Sequence, residues 1–368
     1  MDAAGLPKDA ARNHLYWQFP MNVQEQIPLA PLTTLGVGGA ARYFMEASTA
    51  EDVVEAVRFA RDRGLPLFVL GGGSNLVVAD AGFDGLVVKI ALRGVERCDV
   101  GGGAIFRVAA GEDWDGFVAR TVEEECAGVE CLSGIPGTVG GTPVQNVGAY
   151  GQEVAETIVE VAALDRQSRQ VRTFANDECG FGYRTSRFNS ADRERYIILN
   201  VTYRLRRGGA PTPRYADLKK AFADGAREPS LLEVRRVVRE IRRSKAMLLV
   251  EGDEDARSAG SFFKNPVVTQ RMYDELEERL RMRGLAMPSY PAGEGLRKLS
   301  AAWLVEHAGF AKGYARGAAG ISRKHVLAIV NRGGAKAAEI IELRDEIQTR
   351  VQADFGIELT PEPVFVGF

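Results

Sequence analysis

Histidine is nearly absent from this 368-residue chain: it has three, His14, His307 and His325, none in H-E-x-x-H or H-x-H spacing. That argues against a histidine-rich metal centre and leaves a histidine-based triad few candidates. Cysteine is as scarce. Cys98, Cys126, Cys131 and Cys179 form no C-x-x-C pair, so neither a structural zinc site nor a disulfide framework is expected. No run of about 18 apolar residues is present to span a bilayer. The opening MDAAGLPKDAARNHLYWQFP lacks the apolar stretch of a signal peptide, so the expectation is a cytoplasmic protein with reduced thiols. An excess of one charge sign is missing too. Lys+Arg of 47 against Asp+Glu of 49 gives a formal charge of -2, with no pull toward nucleic acid or anionic lipid. A Walker-type G-x-x-x-x-G-K-[ST] does not occur.

What the chain has in excess is glycine: 41 residues, about 11% against a usual level of about 7%. With 45% hydrophobic and 26% charged residues it otherwise reads as a soluble globular protein, long enough for two or three domains. Residues 1–25 lack periodicity and read as a loosely ordered extension. From 42 onward the pattern is β-α-β-loop-β. A short strand (RYFMEA, 42–47) leads to a helix with Ser48 and Glu51 as its capping box and Val53, Val57 and Ala60 on one face. Gly64 stops the helix, and strands follow at 67–70 and 86–90. Strand-like runs at 159–164, 170–174 and 196–203 alternate with glycine turns, and a Gly/Pro/Arg-rich stretch at 206–214 marks a boundary. Beyond it, Val234, Val237, Val238 and Ile241 share a helical face, as do Ile340, Leu343, Ile347 and Val351. The arginines of the first of these helices (235, 236, 239, 242 and 243) read as a solvated face. The expected class is α+β. Its parts are a lobe at 26–208 made of two subdomains (26–92 and 93–208), a linker and loop at 209–230, a second lobe at 231–356, and a C-terminal strand at 357–368 returning to the first lobe.

The glycines cluster in two segments free of charged side chains, 64–79 and 131–152. Glycine lets backbone N–H groups approach a ligand and point inward together, forming a nest that holds a diphosphate without Lys or Arg. Two such nests in one lobe suit an extended dinucleotide. Tight turns are an equal reading for residues 71–73 alone, but an uncharged stretch as long as 131–152 is unusual on a solvent face. Gly36-Val37-Gly38-Gly39-Ala40-Ala41 matches a loose G-x-G-x-x-A fingerprint. The proline-bearing segment before it reads as extended rather than as the required strand, which makes a Rossmann site a weak reading.

Four motifs together resemble the UDP-N-acetylenolpyruvoylglucosamine reductase (MurB) family. They are Gly-Gly-Gly-Ser-Asn at 71–75; Ile-Pro-Gly at 135–137 with Gln-Asn-Val-Gly-Ala-Tyr-Gly at 145–151; Gly-Tyr-Arg at 182–184; and Gly-Ser-Phe-Phe-Lys-Asn-Pro at 260–266. The resemblance covers about 33–367 in the family's order. It implies an FAD-binding lobe of the vanillyl-alcohol-oxidase type and a C-terminal substrate lobe, with non-covalent FAD and NADPH as reductant. The implied reaction converts UDP-N-acetylglucosamine-enolpyruvate to UDP-N-acetylmuramate in peptidoglycan precursor synthesis. The flavin contacts it implies are Gly71, Gly72, Gly73, Ser74 and Asn75, then Ile135, Pro136, Gly137, Thr138, Gly140 and Gly141, then Gln145, Asn146, Gly148, Ala149 and Tyr150. Tyr215, Lys245, Asn265 and His325 match substrate positions, Tyr215 marking the type I branch.

Arg184, Ser261 and Glu362 stand at the family's catalytic positions. Hydride addition to a vinyl carbon leaves an enolate, which needs fixed positive charge and hydrogen-bond donors at its oxygens. Arg184 offers a charged planar fork, a protonated Glu362 a donor, and Ser261 a proton for the inner carbon. Two residues depart from the pattern: Thr185 stands where the family often has Asp, and Pro363 follows Glu362, removing a backbone donor. No metal is implied, and the protein reads as a monomer. A non-covalent flavin oxidase of the same superfamily is the alternative enzyme; a histidine tether in the glycine-rich lobe is excluded, since no histidine lies between His14 and His307. A nucleotide-binding sensor is the non-enzymatic alternative.

Overall fold

The computed structural model describes residues 22–211, 216–222 and 227–368. Regular structure starts earlier than the sequence pattern suggests, because strand Gln24–Pro28 pairs antiparallel with Ala40–Ala47. Ala40–Ala47 lies parallel to Phe83–Ile90, which lies parallel to Leu67–Leu70, completing a four-stranded sheet. Helix Ala50–Asp62 makes the crossover and buries Val53, Ala56, Val57, Phe59 and Ala60 on that sheet. Its capping box sits one residue later than Ser48 and Glu51. Thr49 has the extended backbone of an N-cap, its hydroxyl accepts the Asp52 N–H (3.1 Å), and the Asp52 carboxylate accepts the N–H groups of Ser48 and Thr49 (both 2.9 Å). The glycines at 36–39 lead into a strand rather than a helix, the reverse of the Rossmann order.

The second subdomain is an antiparallel six-stranded sheet. Tyr196–Arg207 lies between Ile158–Asp165 and Gly103–Ala109 and also pairs with the short strand Cys126–Ala127; Val171–Ala175 and Val95–Val100 form the edges. Helix Trp114–Glu123 packs Trp114 and Phe117 against Tyr203, and Phe117 also meets Phe106. One apolar core runs through both subdomains.

The C-terminal lobe has its own core, built from helices Gln270–Met282, Ala301–His307 and Ala337–Phe355 and two three-stranded sheets. Three ties seam it to the first lobe. The buried Asn331 amide donates to the carbonyls of Leu35 (3.1 Å) and Gly36 (3.0 Å). Asp80 accepts the N–H groups of Ala337 (2.8 Å) and Ala338 (3.0 Å), capping the long helix. Strand Val364–Val366 adds in parallel to Leu76–Val78.

Helix Leu231–Ser244 corrects two expectations. Val234 and Val238 pack with Cys131 and Leu218, and Leu231 with Val122 and Ala127, so the helix sits on the second subdomain rather than in the lobe assigned to 231–356. Its arginines are not one solvated face. Arg236 is exposed, but the Arg235 side chain is only 14% exposed and Arg242 is buried. Both turn toward the first lobe, where an acidic residue and backbone carbonyls receive them.

Candidate active site

The two uncharged glycine segments meet. A Cβ on Gly72 would lie 2.5 Å from the Gly137 Cα, so the chain at Gly72 touches that at 137–138 backbone to backbone and no side chain fits between them. Asn75 ties the loops together, its amide donating to Gln145 Oε1 (2.8 Å). Among the described residues no acceptor receives the N–H groups of Gly71, Gly72, Gly73, Ser74 and Asn75, nor those of Ile135, Gly137 and Thr138. A row of unpaired amides on two apposed, uncharged loops is the donor set for a diphosphate, and FAD fits it. Not every expected flavin contact is available through its side chain. The Asn146 amide donates to Glu153 (2.8 Å) and Gly182 O (3.0 Å), while its oxygen accepts the Ala155 N–H (3.1 Å), so that side chain organises the loop instead.

Arg184 stands on a tight turn in which Gly182 and Thr185 exchange backbone hydrogen bonds (3.0 and 3.2 Å), with φ at +54°. That left-handed conformation costs an arginine about 1 kcal/mol and aims its side chain inward. Thr185 serves the turn, its hydroxyl bonding Asn189 (3.2 Å). Arg184 Nη2 donates to the Gly148 carbonyl (2.7 Å), while its buried Nε has no hydrogen-bond acceptor and lies 3.3 Å from Glu362 Oε1. A charged N–H left without an acceptor in a buried site is an invitation to a bound carboxylate.

Glu362 is held by both lobes. Its N–H donates to the Phe262 carbonyl (2.9 Å), and its carbonyl accepts from the Asn75 amide (3.2 Å). The Val364 N–H bonds Asn75 O (2.9 Å). Pro363 thus falls between two residues whose N–H groups are used, and its own missing donor is not called for. Burial pushes the Glu362 carboxyl above the usual range, outweighing the pull of Arg184 and Lys264. Ser261 precedes Phe262, the residue that receives the Glu362 N–H, so segments around 184, 261 and 362 converge. Ser261 Oγ lies 3.5 Å from His325 Nε2. Burial, then Lys245 and Lys312, lowers His325 to about 4, which keeps the ring neutral near pH 7.

Asn265 is partly committed, its Oδ1 accepting the Ala301 N–H (3.0 Å) at the start of a helix. Lys245 ends helix Leu231–Ser244 on the side facing His325. Tyr215 lies outside the described residues. Sequence reasoning missed Lys264, Lys298 and Lys312. Lys264 sits inside the motif that carries Ser261. Lys298, whose Nζ stands 4.8 Å over the Tyr183 ring, and Lys312 have no local signal. Among the described residues no group of three His, Cys, Asp or Glu side chains is placed to hold a metal, and no helix is long and apolar enough to cross a membrane.

A glycine-loop dinucleotide cradle facing a second lobe that brings a serine, a carboxyl and several cations defines a two-lobed flavin-dependent oxidoreductase. Comparisons with known proteins agree and narrow the class. Residues 41–173 match an FAD binding domain, and residues 253–366 match the UDP-N-acetylenolpyruvoylglucosamine reductase C-terminal domain. The UDP-N-acetylenolpyruvoylglucosamine reductase of Thermobifida fusca is 46% identical, over 93% of this chain and 97% of that one. That of Streptomyces coelicolor is 48% identical, over 95% and 91%. The crystal structure of the Thermus caldophilus reductase superposes with a TM-score of 0.63 at 27% identity, covering 94% of this chain and 99% of the other. The chain belongs to the UDP-N-acetylenolpyruvoylglucosamine reductase family.

Proposed function

We propose that the protein catalyses the NADPH-dependent, FAD-mediated reduction of UDP-N-acetylglucosamine-enolpyruvate to UDP-N-acetylmuramate, a step of peptidoglycan precursor synthesis. The observation that carries this reading is the pairing of a partly buried arginine and a carboxyl that burial raises above its ordinary range, Arg184 and Glu362, beside a cradle free of charged side chains. Non-covalent FAD, when bound, supplies the two-electron chemistry that links NADPH to the enolpyruvyl group.

The chain's own residues do the rest. The Arg184 guanidinium binds the enolpyruvyl carboxylate and stabilises the charge that gathers there as the double bond is reduced. In its protonated form Glu362 donates a hydrogen bond to the same group, a form that burial favours by raising its carboxyl. Ser261 passes its hydroxyl proton to the inner carbon; a strongly basic carbanion demands position more than acidity. Lys245, Asn265 and His325 receive the nucleotide side of the substrate. NADPH and the enolpyruvyl substrate share the site in turn, so high concentrations of the second inhibit. The protein acts as a cytoplasmic monomer, with all of these residues drawn from one chain.

Family membership favours this reading over an alcohol-oxidising flavoprotein of the same fold type. An anaerobic experiment tests it: the purified protein is reduced with NADPH, and UDP-N-acetylglucosamine-enolpyruvate is then added. Reoxidation without oxygen, with UDP-N-acetylmuramate formed, is expected. A flavin that stays reduced until air is admitted would replace the reductase with an oxidase.

A further inference from the structure

Gly134 is held through both of its backbone polar groups. Its N–H donates to Asp115 Oδ1 (2.6 Å), and its carbonyl accepts Arg242 Nε (3.0 Å). Gly134 has φ +73°, a left-handed conformation that favours glycine, and a Cβ there would come within 2.9 Å of the Leu248 side chain. The flanking residues are held as well. Trp114 Nε1 donates to Leu132 O and the Trp114 backbone N–H to Gly137 O, both at 3.1 Å. What this leaves unpaired is the set of N–H groups at Ile135, Gly137 and Thr138, in the segment that meets the other glycine loop at Gly72.

The grip comes from a distance. Asp115 is in the first turn of helix Trp114–Glu123, whereas Arg242 is in the last turn of helix Leu231–Ser244. Arg235 Nη1 pairs with Asp115 Oδ1 (2.5 Å), and Arg239 pairs with the other oxygen. Burial raises the Asp115 carboxyl, but Arg235, the Gly134 N–H and Arg239 outweigh it and hold the group ionised. Arg242 is buried and also donates to the Met247 carbonyl (2.5 Å), just past Lys245. Removing one partner from such a buried pairing leaves an uncompensated charge behind.

We propose that Asp115 and Arg242 are positioning residues of the flavin cradle, setting the Gly134 peptide so that the N–H groups after it face the cofactor diphosphate. This rests on the flavin reading of the two glycine loops. Arg235 and Arg239 neutralise Asp115 without a hydrogen bond to Gly134 and are structural.

The test is FAD affinity, read by flavin fluorescence on protein stripped of cofactor and refilled, at a temperature where each variant is folded. Asp115→Ala removes the acceptor, and Kd for FAD is expected to rise at least tenfold. Asp115→Asn keeps an oxygen for the Gly134 N–H and is expected to stay within about threefold of the native value. Arg235→Gln is expected to lower the melting temperature with FAD affinity unchanged. If Asp115→Ala does not fold, Arg242→Lys, which loses the Nε–H to Gly134, takes its place with the same tenfold expectation. FAD bound as tightly by Asp115→Ala or Arg242→Lys as by the native protein would overturn the proposal while leaving the flavin reading intact. A native protein that binds no FAD would instead remove the flavin reading on which it rests.

Discussion

The two sides of the proposed site are made of different materials. The cofactor side is backbone: glycines packed chain to chain and amides without acceptors, with no charged side chain from 64 to 79 or from 131 to 152. The side proposed for the substrate is side chains: Arg184, Glu362, Ser261 and His325, with Lys264 and Lys298 nearby and Lys245 and Lys312 against the histidine. The difference follows from what each must do. A bound cofactor needs a rigid, permanent complement to a diphosphate, which main-chain donors supply without losing side-chain entropy. A reacting substrate needs charge and a proton that change roles during the reaction, which only side chains provide.

If that division is right, changes on the substrate side lower turnover and spare flavin, and changes on the cofactor side do the reverse. The largest effect is expected for Ser261→Ala, with kcat down about 10² to 10⁴-fold and FAD content unchanged, measured by steady-state rates and the visible spectrum. Glu362→Ala is expected to lose about 10² to 10³-fold, and Glu362→Gln, which keeps a neutral donor, far less. Because burial raises Glu362, its proton is lost on the alkaline side of the ordinary carboxylate range. The native kcat should therefore fall as pH rises through that value, and the Gln variant should lack this limb. An alkaline limb identical in both would make Glu362 a structural residue.

His325 tests the same side by stability. Its value is about 4 in the folded protein against 6.5 unperturbed, so the unfolded chain binds the proton first. About 3 kcal/mol of stability should be present above pH 6.5 and lost as pH falls toward 4, and His325→Gln should flatten that slope in denaturant titrations. On the cofactor side, Gly72→Ala forces a Cβ to 2.5 Å from the Gly137 Cα. At about 1–3 kcal/mol of overpacking, FAD affinity should drop roughly ten- to a hundredfold, with NADPH oxidation restored by excess FAD. Unchanged affinity would mean that the two loops separate freely.

The two sides also differed in how far the sequence could be read. Local features were legible: strand Leu67–Leu70 coincides with the apolar run read at 67–70, and Ile340, Leu343, Ile347 and Val351 are buried as their spacing requires. The capping box was displaced by one residue because Ser48-Thr49 and Glu51-Asp52 offer two registers of the same chemistry. The glycine clusters announced a backbone site because glycine is itself the signal. Side-chain sites are harder, since their partners are remote in sequence. Nothing near Arg235 or Arg239 shows that both meet Asp115, more than a hundred residues away. Their charge therefore read as solvated. Asn146 likewise reads as a cofactor contact until Glu153, Ala155 and Gly182 are seen to take its side chain.

The central claim, a backbone-built flavin site beside a side-chain-built reaction site, is tested most directly by separating the half-reactions in Ser261→Ala under anaerobic stopped flow. Full FAD content and flavin reduction by NADPH at close to the native rate are expected. Reoxidation by UDP-N-acetylglucosamine-enolpyruvate should be slowed by about 10² or more. Native reoxidation in that variant, or loss of its flavin, would contradict the account.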